Sequence, residues 1–225
     1  IDISDQKKIQ RELEVQTQEL QRSNEDLEQF AYAASHDLQE PLRMVSSYVH
    51  LIQRKLGEEI SPEVDEFMFF AVDGVKRMQE LINDLLEYSR VDRKGNPFVP
   101  VDMNMIISVV RSNLQNVIRE NDAEVVHDLL PTVKADQYQM VSLFQNLIEN
   151  AIKFRSEEVP RIEINAEAIK DGWRFSVKDN GIGLDQKYFD RIFTIFQRLN
   201  SRKKYSGTGI GLAICKKIVE RHGGT

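Results

Sequence analysis

The chain has 225 residues, 30 of them basic and 36 acidic, and its formal net charge of −6 argues against a general affinity for nucleic acid. A single cysteine, Cys215, excludes a disulfide framework and a cysteine-rich zinc module, and we interpret it as a small buried apolar residue. No run of about 18 apolar residues is present, so the sequence predicts no membrane-spanning helix.

The distribution of charge predicts two domains. Residues 1–94 carry 12 basic and 20 acidic side chains, whereas residues 95–225 carry 18 and 16. The change falls near Gly95-Asn96-Pro97, and glycine and proline favour a linker. We therefore predict a boundary close to residue 95.

The first segment resembles a coiled-coil helix. Apolar residues recur every seven positions at Leu13, Leu20, Leu27 and Ala34. The companion positions include polar Gln16 and Ser23, which weaken the seam, so a soft linker helix remains an alternative.

Two long helices should follow and form a hairpin. The helical pattern runs on to Leu56 with a kink expected just after residue 36, because Pro41 removes a hydrogen bond. Gly57 predicts a stop, and Ser61-Pro62-Glu63 predicts the start of a second helix that ends near Arg93. Because the second helix has a wide apolar stripe, we predict a homodimer in which two hairpins form a four-helix bundle.

Beyond Pro100 helical and strand-like segments alternate. The predicted helices cover residues 102–121, 136–154 and 209–222, the first capped by Asp102. The predicted strands cover residues 124–128, 132–135, 161–169 and 173–178. We expect an α+β fold with helices on one face of a sheet. Because the chain stops at residues 222–225, where another strand is expected, we also expect this sheet to be incomplete.

One face of the predicted helix 136–154 carries Asn146, Asn150 and Lys153. Amide oxygens suit Mg²⁺ that is shared with phosphate, and a lysine offsets phosphate charge. Taken alone, the same pattern also fits an ordinary solvated helix face.

Two glycine clusters favour a nucleotide site. Asp179-Asn180-Gly181-Ile182-Gly183 follows a strand, and Gly207-Thr208-Gly209-Ile210-Gly211-Leu212 opens a helix. Glycines at a helix start let backbone N–H groups approach phosphate, and an aspartate at a strand end can accept a hydrogen bond from the adenine amino group. The clusters lack the context of a Rossmann fingerprint, and no P-loop motif is present.

A histidine in the first long helix is a candidate nucleophile. His36 is followed by Asp37, which can orient the ring or take its proton. The other histidines, His50, His127 and His222, have no metal-ligand spacing, and we interpret them as surface residues.

Together these motifs resemble a two-component sensor histidine kinase over residues 30–225. Ser35-His36-Asp37-Leu38-Gln39-Glu40-Pro41-Leu42-Arg43 is similar to the H box, and residues 146–154 to the N box. Residues 179–183 are similar to the first G box, 192–199 to the F box and 207–212 to the second G box. The amino-acid sequences of the H and F boxes are most similar to those of the phytochrome-like subgroup.

The resemblance implies a dimerisation and phosphoacceptor hairpin joined to a Bergerat-type α/β-sandwich that binds ATP and Mg²⁺. It implies His36 as phosphoacceptor, Asp37 as its orienting acid or base, and Arg198 facing the phosphates or the histidine. Asn150 would hold Mg²⁺. The implied nucleotide contacts are Asn146, Asn150, Lys153, Phe154, Asp179, Gly181, Gly183, Gly207, Thr208, Gly209, Gly211 and Leu212.

The implied domains are a signalling helix over 1–30, the phosphoacceptor domain over 31–94 and the ATP-binding domain over 95–225, without its C-terminal hairpin. The implied partners are a second copy, a response regulator receiver domain and an upstream sensor domain in the same chain. Glu40 stands where many relatives have Thr or Asn, so phosphatase activity is not expected. A lid over about 184–206 would include the basic run Arg202-Lys203-Lys204.

Two other functions remain open on the sequence. One is a catalytically silent coiled-coil dimer that binds ATP, and the other is an ATPase of the gyrase and Hsp90 superfamily. Asn146 occupies the position of the water-activating Glu in those ATPases, which argues against rapid hydrolysis. Because the chain begins at Ile1, we interpret it as a piece of a longer protein. We expect this fragment in the cytoplasm, and a membrane anchor in a missing N-terminal part stays open.

Overall fold

A computed structural model describes residues 3–57, 60–91, 96–199, 205 and 207–225. The chain divides into two compact units, which we call the hairpin unit (Ile1–Leu86) and the α/β unit (Glu87–Thr225). The α+β fold class is confirmed. Among the described residues, no helix combines the length and the hydropathy of a membrane span.

The hairpin unit is built from helix α1 (Ile3–Leu56) and most of helix α2 (Pro62–Arg90). Helix α1 runs through Pro41, and Gly57 follows it at a φ of +53°. As predicted, the hydroxyl of Ser61 accepts a hydrogen bond from the Val64 N–H at the start of α2.

Polar contacts join the two helices in antiparallel order. Gln39 Nε2 donates to Asn83 Oδ1 at 2.9 Å, and Gln53 Nε2 donates to Asp65 Oδ1 at 3.1 Å nearer the turn. Large apolar side chains of both helices are exposed: Leu38, Met44, Val45, Tyr48, Leu51, Ile52, Phe67, Phe69, Phe70 and Met78. Within this single chain, the apolar stripe of the hairpin is therefore only partly covered.

Besides the end of α2, the described residues of the α/β unit form five strands, four α-helices and a 3-10 helix (Gln186–Tyr188). The strands are β1 (Val99–Asp102), β2 (Glu124–His127), β3 (Thr132–Ala135), β4 (Arg161–Ile169) and β5 (Gly172–Asp179). The helices are α3 (Met103–Asn113), α4 (Gln115–Glu120), α5 (Gln137–Lys153) and α6 (Gly211–Arg221). Strands β1 and β3 pair antiparallel, while β2, β4 and β5 form a second sheet in that order.

Three features of this unit differ from the prediction. The predicted helix 102–121 is two helices, because the backbone of buried Leu114 leaves helical geometry between α3 and α4. Strand β1 was not predicted, and Pro100 lies within it, a residue type that is rare in the interior of strands. Strand β2 pairs with β4 in parallel, a non-local pairing that periodicity does not reveal.

The core lies between the helices and the three-stranded sheet. Helix α5 buries Met140, Phe144, Ile148 and Ile152. Phe144 packs edge-on against Phe175 of β5 with ring centroids 5.9 Å apart. The prediction that Cys215 is buried is confirmed, and burial raises the pKa of its thiol to about 12.

Candidate nucleotide-binding site

The polar face of α5 forms one wall of the candidate site. Asp136 caps the helix by accepting hydrogen bonds from the N–H groups of Tyr138 and Gln139. Because the opposite face of α5 is in the core, Asn146, Asn150 and Lys153 are left half-exposed on the other side. Asn146 Nδ2 donates to the Ser142 carbonyl at 3.0 Å, which holds its amide against the helix.

The first glycine cluster closes on the C-terminal end of α5. The Gly181 N–H donates to Asp179 Oδ1 at 2.8 Å, and the Ile182 N–H donates to the Phe154 carbonyl at 3.0 Å. A Cβ at Gly181 would lie 2.5 Å from that carbonyl oxygen and 2.7 Å from Asp179 Oδ1. Glycine is therefore required by close approach, and Asp179 stays exposed at the end of β5.

The second glycine cluster rests on the same face of α5. A Cβ at Gly211 would overlap the side-chain oxygen of Asn146, and one at Gly207 would overlap the amino group of Lys153. Helix α6 begins at Gly211, and the Thr208 hydroxyl accepts a hydrogen bond from the Ile210 N–H at 3.3 Å. The fold thus brings the amide and the ammonium group of α5 to the N-terminus of α6, where anions are favoured.

A tight backbone contact ties the second cluster to residues 196–198. The Phe196 N–H donates to the Gly209 carbonyl at 3.1 Å, and Phe196 itself has a φ of +65°. The Arg198 guanidinium donates to the carbonyls of Tyr205 at 2.5 Å and Gly207 at 2.6 Å. In this structure Arg198 therefore binds main-chain oxygens, and its predicted approach to phosphate or histidine stays a prediction.

Sequence reasoning missed two side chains of the site. Tyr205 packs on Phe154 with ring centroids 4.9 Å apart, and the Lys153 amino group lies 4.9 Å from the Phe154 ring centroid. Asn180 accepts from the Arg161 N–H at 2.8 Å and donates to the Val159 carbonyl at 2.9 Å, which joins the end of β5 to the start of β4. The position of Asn180 between Asp179 and Gly181 was the sequence signal that could have indicated its contacts.

The candidate phosphoacceptor lies in the other unit. His36 is part of α1, but its side chain is outside the described residues, as is the basic run 202–204. Asp37 is exposed, and Glu40 is exposed with Arg43 3.5 Å away. The structure therefore gathers the predicted asparagines, Lys153, Phe154, Asp179 and the glycines around the end of α5, with His36 and Asp37 elsewhere in the chain.

Two family models match the chain. Residues 26–94 match the His Kinase A (phospho-acceptor) domain, and residues 135–225 match the histidine kinase-, DNA gyrase B-, and HSP90-like ATPase. The first match contains His36 and Asp37, and the second contains α5 and both glycine clusters.

The chain is similar to cyanobacterial phytochrome and phytochrome-like proteins over most of its length. It is 52% identical over 206 residues to Cyanobacterial phytochrome A of Nostoc sp. (strain PCC 7120), which covers 92% of this chain and 27% of the relative. It is 48% identical over 205 residues to Phytochrome-like protein Cph1 of Synechocystis sp. (strain PCC 6803), covering 91% and 27%. The chain thus spans about a quarter of the length of these relatives.

Similarity extends to other sensor kinases and to solved structures. Sensor protein kinase WalK of Staphylococcus haemolyticus is 30% identical over 215 residues, 92% of this chain and 35% of the relative. The crystal structure of full-length ShkA in complex with AMPPNP has a TM-score of 0.65 at 25% identity and covers 87% of this chain and 41% of that one. The chain therefore belongs to the two-component sensor histidine kinases, in their phytochrome-like subgroup, and carries the two domains of a protein histidine kinase.

Proposed function

We propose that this chain phosphorylates itself on His36 with ATP and then passes the phosphoryl group to an aspartate of a response regulator. The observation that carries the proposal is the convergence of Asn146, Lys153 and both glycine clusters at the end of α5. The His-Asp pair on the hairpin supplies a candidate acceptor for the phosphoryl group.

The α/β unit offers a separate partner for each part of ATP. The exposed Asp179 carboxylate would accept a hydrogen bond from the adenine amine, with Gly181 and Gly183 shaping that end of the pocket. Phe154 would contact the sugar or base. The phosphates would meet the set formed by Asn146, Lys153, Gly207, Thr208, Gly209, Gly211 and Leu212 at the N-terminus of α6.

The donor set also fits Mg²⁺. Asn150 is half-exposed on the polar face of α5, one turn from Asn146 and close to Lys153 in sequence. A single neutral amide oxygen suits an ion that keeps several waters and shares phosphate oxygens. When bound, the ion would neutralise phosphate charge, and Asn150 is the residue that would hold it.

Phosphoryl transfer would depend mainly on positioning and electrostatics. A ring nitrogen of His36 would attack the γ-phosphorus in line while the bond to the β-phosphate oxygen breaks and ADP leaves. Asp37 would orient the ring or take its proton, and Lys153 would offset charge on the phosphates. Arg198 would act on the phosphates or the histidine after releasing main-chain carbonyls.

Assembly is part of the same proposal. The exposed apolar residues of α1 and α2 would be covered in a homodimer by a second hairpin, which gives a four-helix bundle. An upstream sensor domain would act through the signalling helix 1–30 on domains 31–94 and 95–225. This kinase core would lie in the cytoplasm.

The test uses γ-labelled ATP with Mg²⁺ on the parent chain and on His36→Gln. We expect acid-labile, base-stable label on the parent that is absent from the variant and from a reaction with chelator. ATP binding, measured by calorimetry, should be equal in the two proteins. Bound ATP without label on the parent would support the silent dimer, and phosphate release without label would support a simple ATPase.

A further inference from the structure

The segment that joins the two domains is fastened along α5 and α6. We call residues 87–91 and 96–98 the joint segment, and all of them belong to the α/β unit. Glu87 accepts a short hydrogen bond from Ser142, and the Lys217 amino group donates to the Tyr88 carbonyl at 3.0 Å. Val91 is only 3% exposed, so the segment is packed against its unit.

Asp136 is the buried centre of this attachment. Its side chain caps α5, yet its second oxygen accepts from the Asn96 N–H at 2.6 Å and lies 3.2 Å from Arg221 Nη1. Asp136 is fully buried and Arg221 is largely so, and loss of either partner would leave the other charge buried without compensation. The proposed nucleotide contacts do not include either residue.

Arg221 and Gln139 extend the attachment to both parts of the joint segment. Arg221 Nη1 donates to Gln139 Oε1 at 2.5 Å, and Nη2 donates to the Asn96 carbonyl at 3.4 Å. Gln139 Nε2 in turn donates to the Val91 carbonyl at 2.7 Å. Arg221 therefore contacts residue 96 directly and is linked to residue 91 through Gln139.

His222 completes the attachment and is not the surface residue that the sequence suggested. Its ring stacks on Phe98 with centroids 4.4 Å apart. Nε2 accepts from the Asp136 N–H at 3.0 Å, and Nδ1 lies 2.7 Å from the Ile218 carbonyl, which requires a proton on Nδ1. Both ring nitrogens are therefore used to hold the end of α6 against the N-cap of α5.

We infer that Asp136, Gln139, Arg221 and His222 form a clamp that positions the ATP-binding unit for transfer to His36. The inference rests on the proposed function. Residues 87–90 are the last turn of α2, and Val91 and Asn96 are held by Gln139 and Asp136, so none of these residues is free to act as a flexible tether between the domains. Releasing Val91 and Asn96 would create such a tether and lower the effective concentration of bound ATP near the acceptor, which falls roughly as the −3/2 power of tether length.

The test compares Arg221→Met with the parent and with Arg119→Met, which removes an exposed guanidinium from α4. We expect hydrogen exchange at Val91 and Asn96 to rise at least about tenfold in Arg221→Met. The kcat for His36 labelling should fall about three- to tenfold, with KM and Kd for ATP unchanged. Arg221→Lys should recover only part of kcat, because an ammonium group cannot make the forked contacts.

Gln139→Leu is the second variant, since it cuts the link to Val91 without leaving a buried charge unpaired. If Arg221→Met does not fold, Gln139→Leu should still show a lower kcat with an unchanged KM for ATP. Faster exchange of the joint segment with unchanged kcat would overturn the inference, and so would a matching loss of ATP affinity. Absence of label on the parent would instead reject the proposed function, and this inference with it.

Discussion

Replacing Gly209 by alanine tests whether the backbone contact between Gly209 and residues 196–198 is needed for ATP binding. Gly209 has a φ of +79°, where a side chain costs about 1–2 kcal/mol. A Cβ there would lie 2.9 Å from the Gln197 carbonyl oxygen, 3.0 Å from Arg198 Cγ and 3.2 Å from the Phe196 carbonyl carbon. Two of these atoms are main chain, so the loop itself must move.

The two costs together predict a large effect on ATP affinity. Overpacking of this kind costs about 1–3 kcal/mol, which gives about 2–5 kcal/mol with the strain of the backbone. To relieve the overlap with the new Cβ, the Phe196 N–H must move away from the Gly209 carbonyl. Nucleotide binding would then have to restore that hydrogen bond. Even the lower value predicts a Kd for ATP raised about 30-fold, since about 1.4 kcal/mol is tenfold.

Calorimetric titration with ATP and Mg²⁺ measures this change directly. Gly223→Ala is the matched control, because Gly223 has a φ of +74° but no atom within 4 Å of a Cβ. It should lower the melting temperature slightly and leave the Kd for ATP unchanged. The reasoning is refuted if Gly209→Ala binds ATP within about threefold of the parent, or if both variants weaken binding equally.

Two further predictions concern single side chains. Asp179→Ala should raise the Kd for ATP about tenfold or more, because a hydrogen bond to a charged group contributes about 1.5–3 kcal/mol; an unchanged Kd would remove Asp179 from base recognition. Burial raises the pKa of the Cys215 thiol to about 12, so at pH 8 iodoacetamide should modify the native chain far more slowly than the chain in denaturant. Equal rates by mass spectrometry would contradict the buried thiol.

Local sequence predicted those parts of the fold that depend on neighbouring residues. Ser61 and Asp102 cap helices as expected, since a cap needs only a side chain two or three residues from its backbone partner. The predicted strands 124–128 and 132–135 differ from the observed ones by at most one residue. The face of α5 that carries Asn146 and Lys153 also followed from a periodicity of 3.6 residues.

The candidate site was predictable in composition but not in its contacts. Sequence spacing indicated that two glycine clusters and an asparagine-rich helix belong together. It did not indicate that Gly211 abuts Asn146 or that Arg198 binds the carbonyls of Tyr205 and Gly207. Gly211 and Asn146 are far apart in the sequence, and the Arg198 contacts span seven and nine positions, which is beyond the reach of a helical turn or a cap.

The sequence by itself determined most helices, most strands and the residue types of the candidate nucleotide site, because each depends on interactions within a few residues. Only the tertiary structure decided the parallel pairing of β2 with β4 and the clamp around Asp136. His222 illustrates the reason: its partners Phe98 and Asp136 are 124 and 86 positions away in the sequence. Such contacts form only when the whole unit has folded around its core, so no local pattern records them.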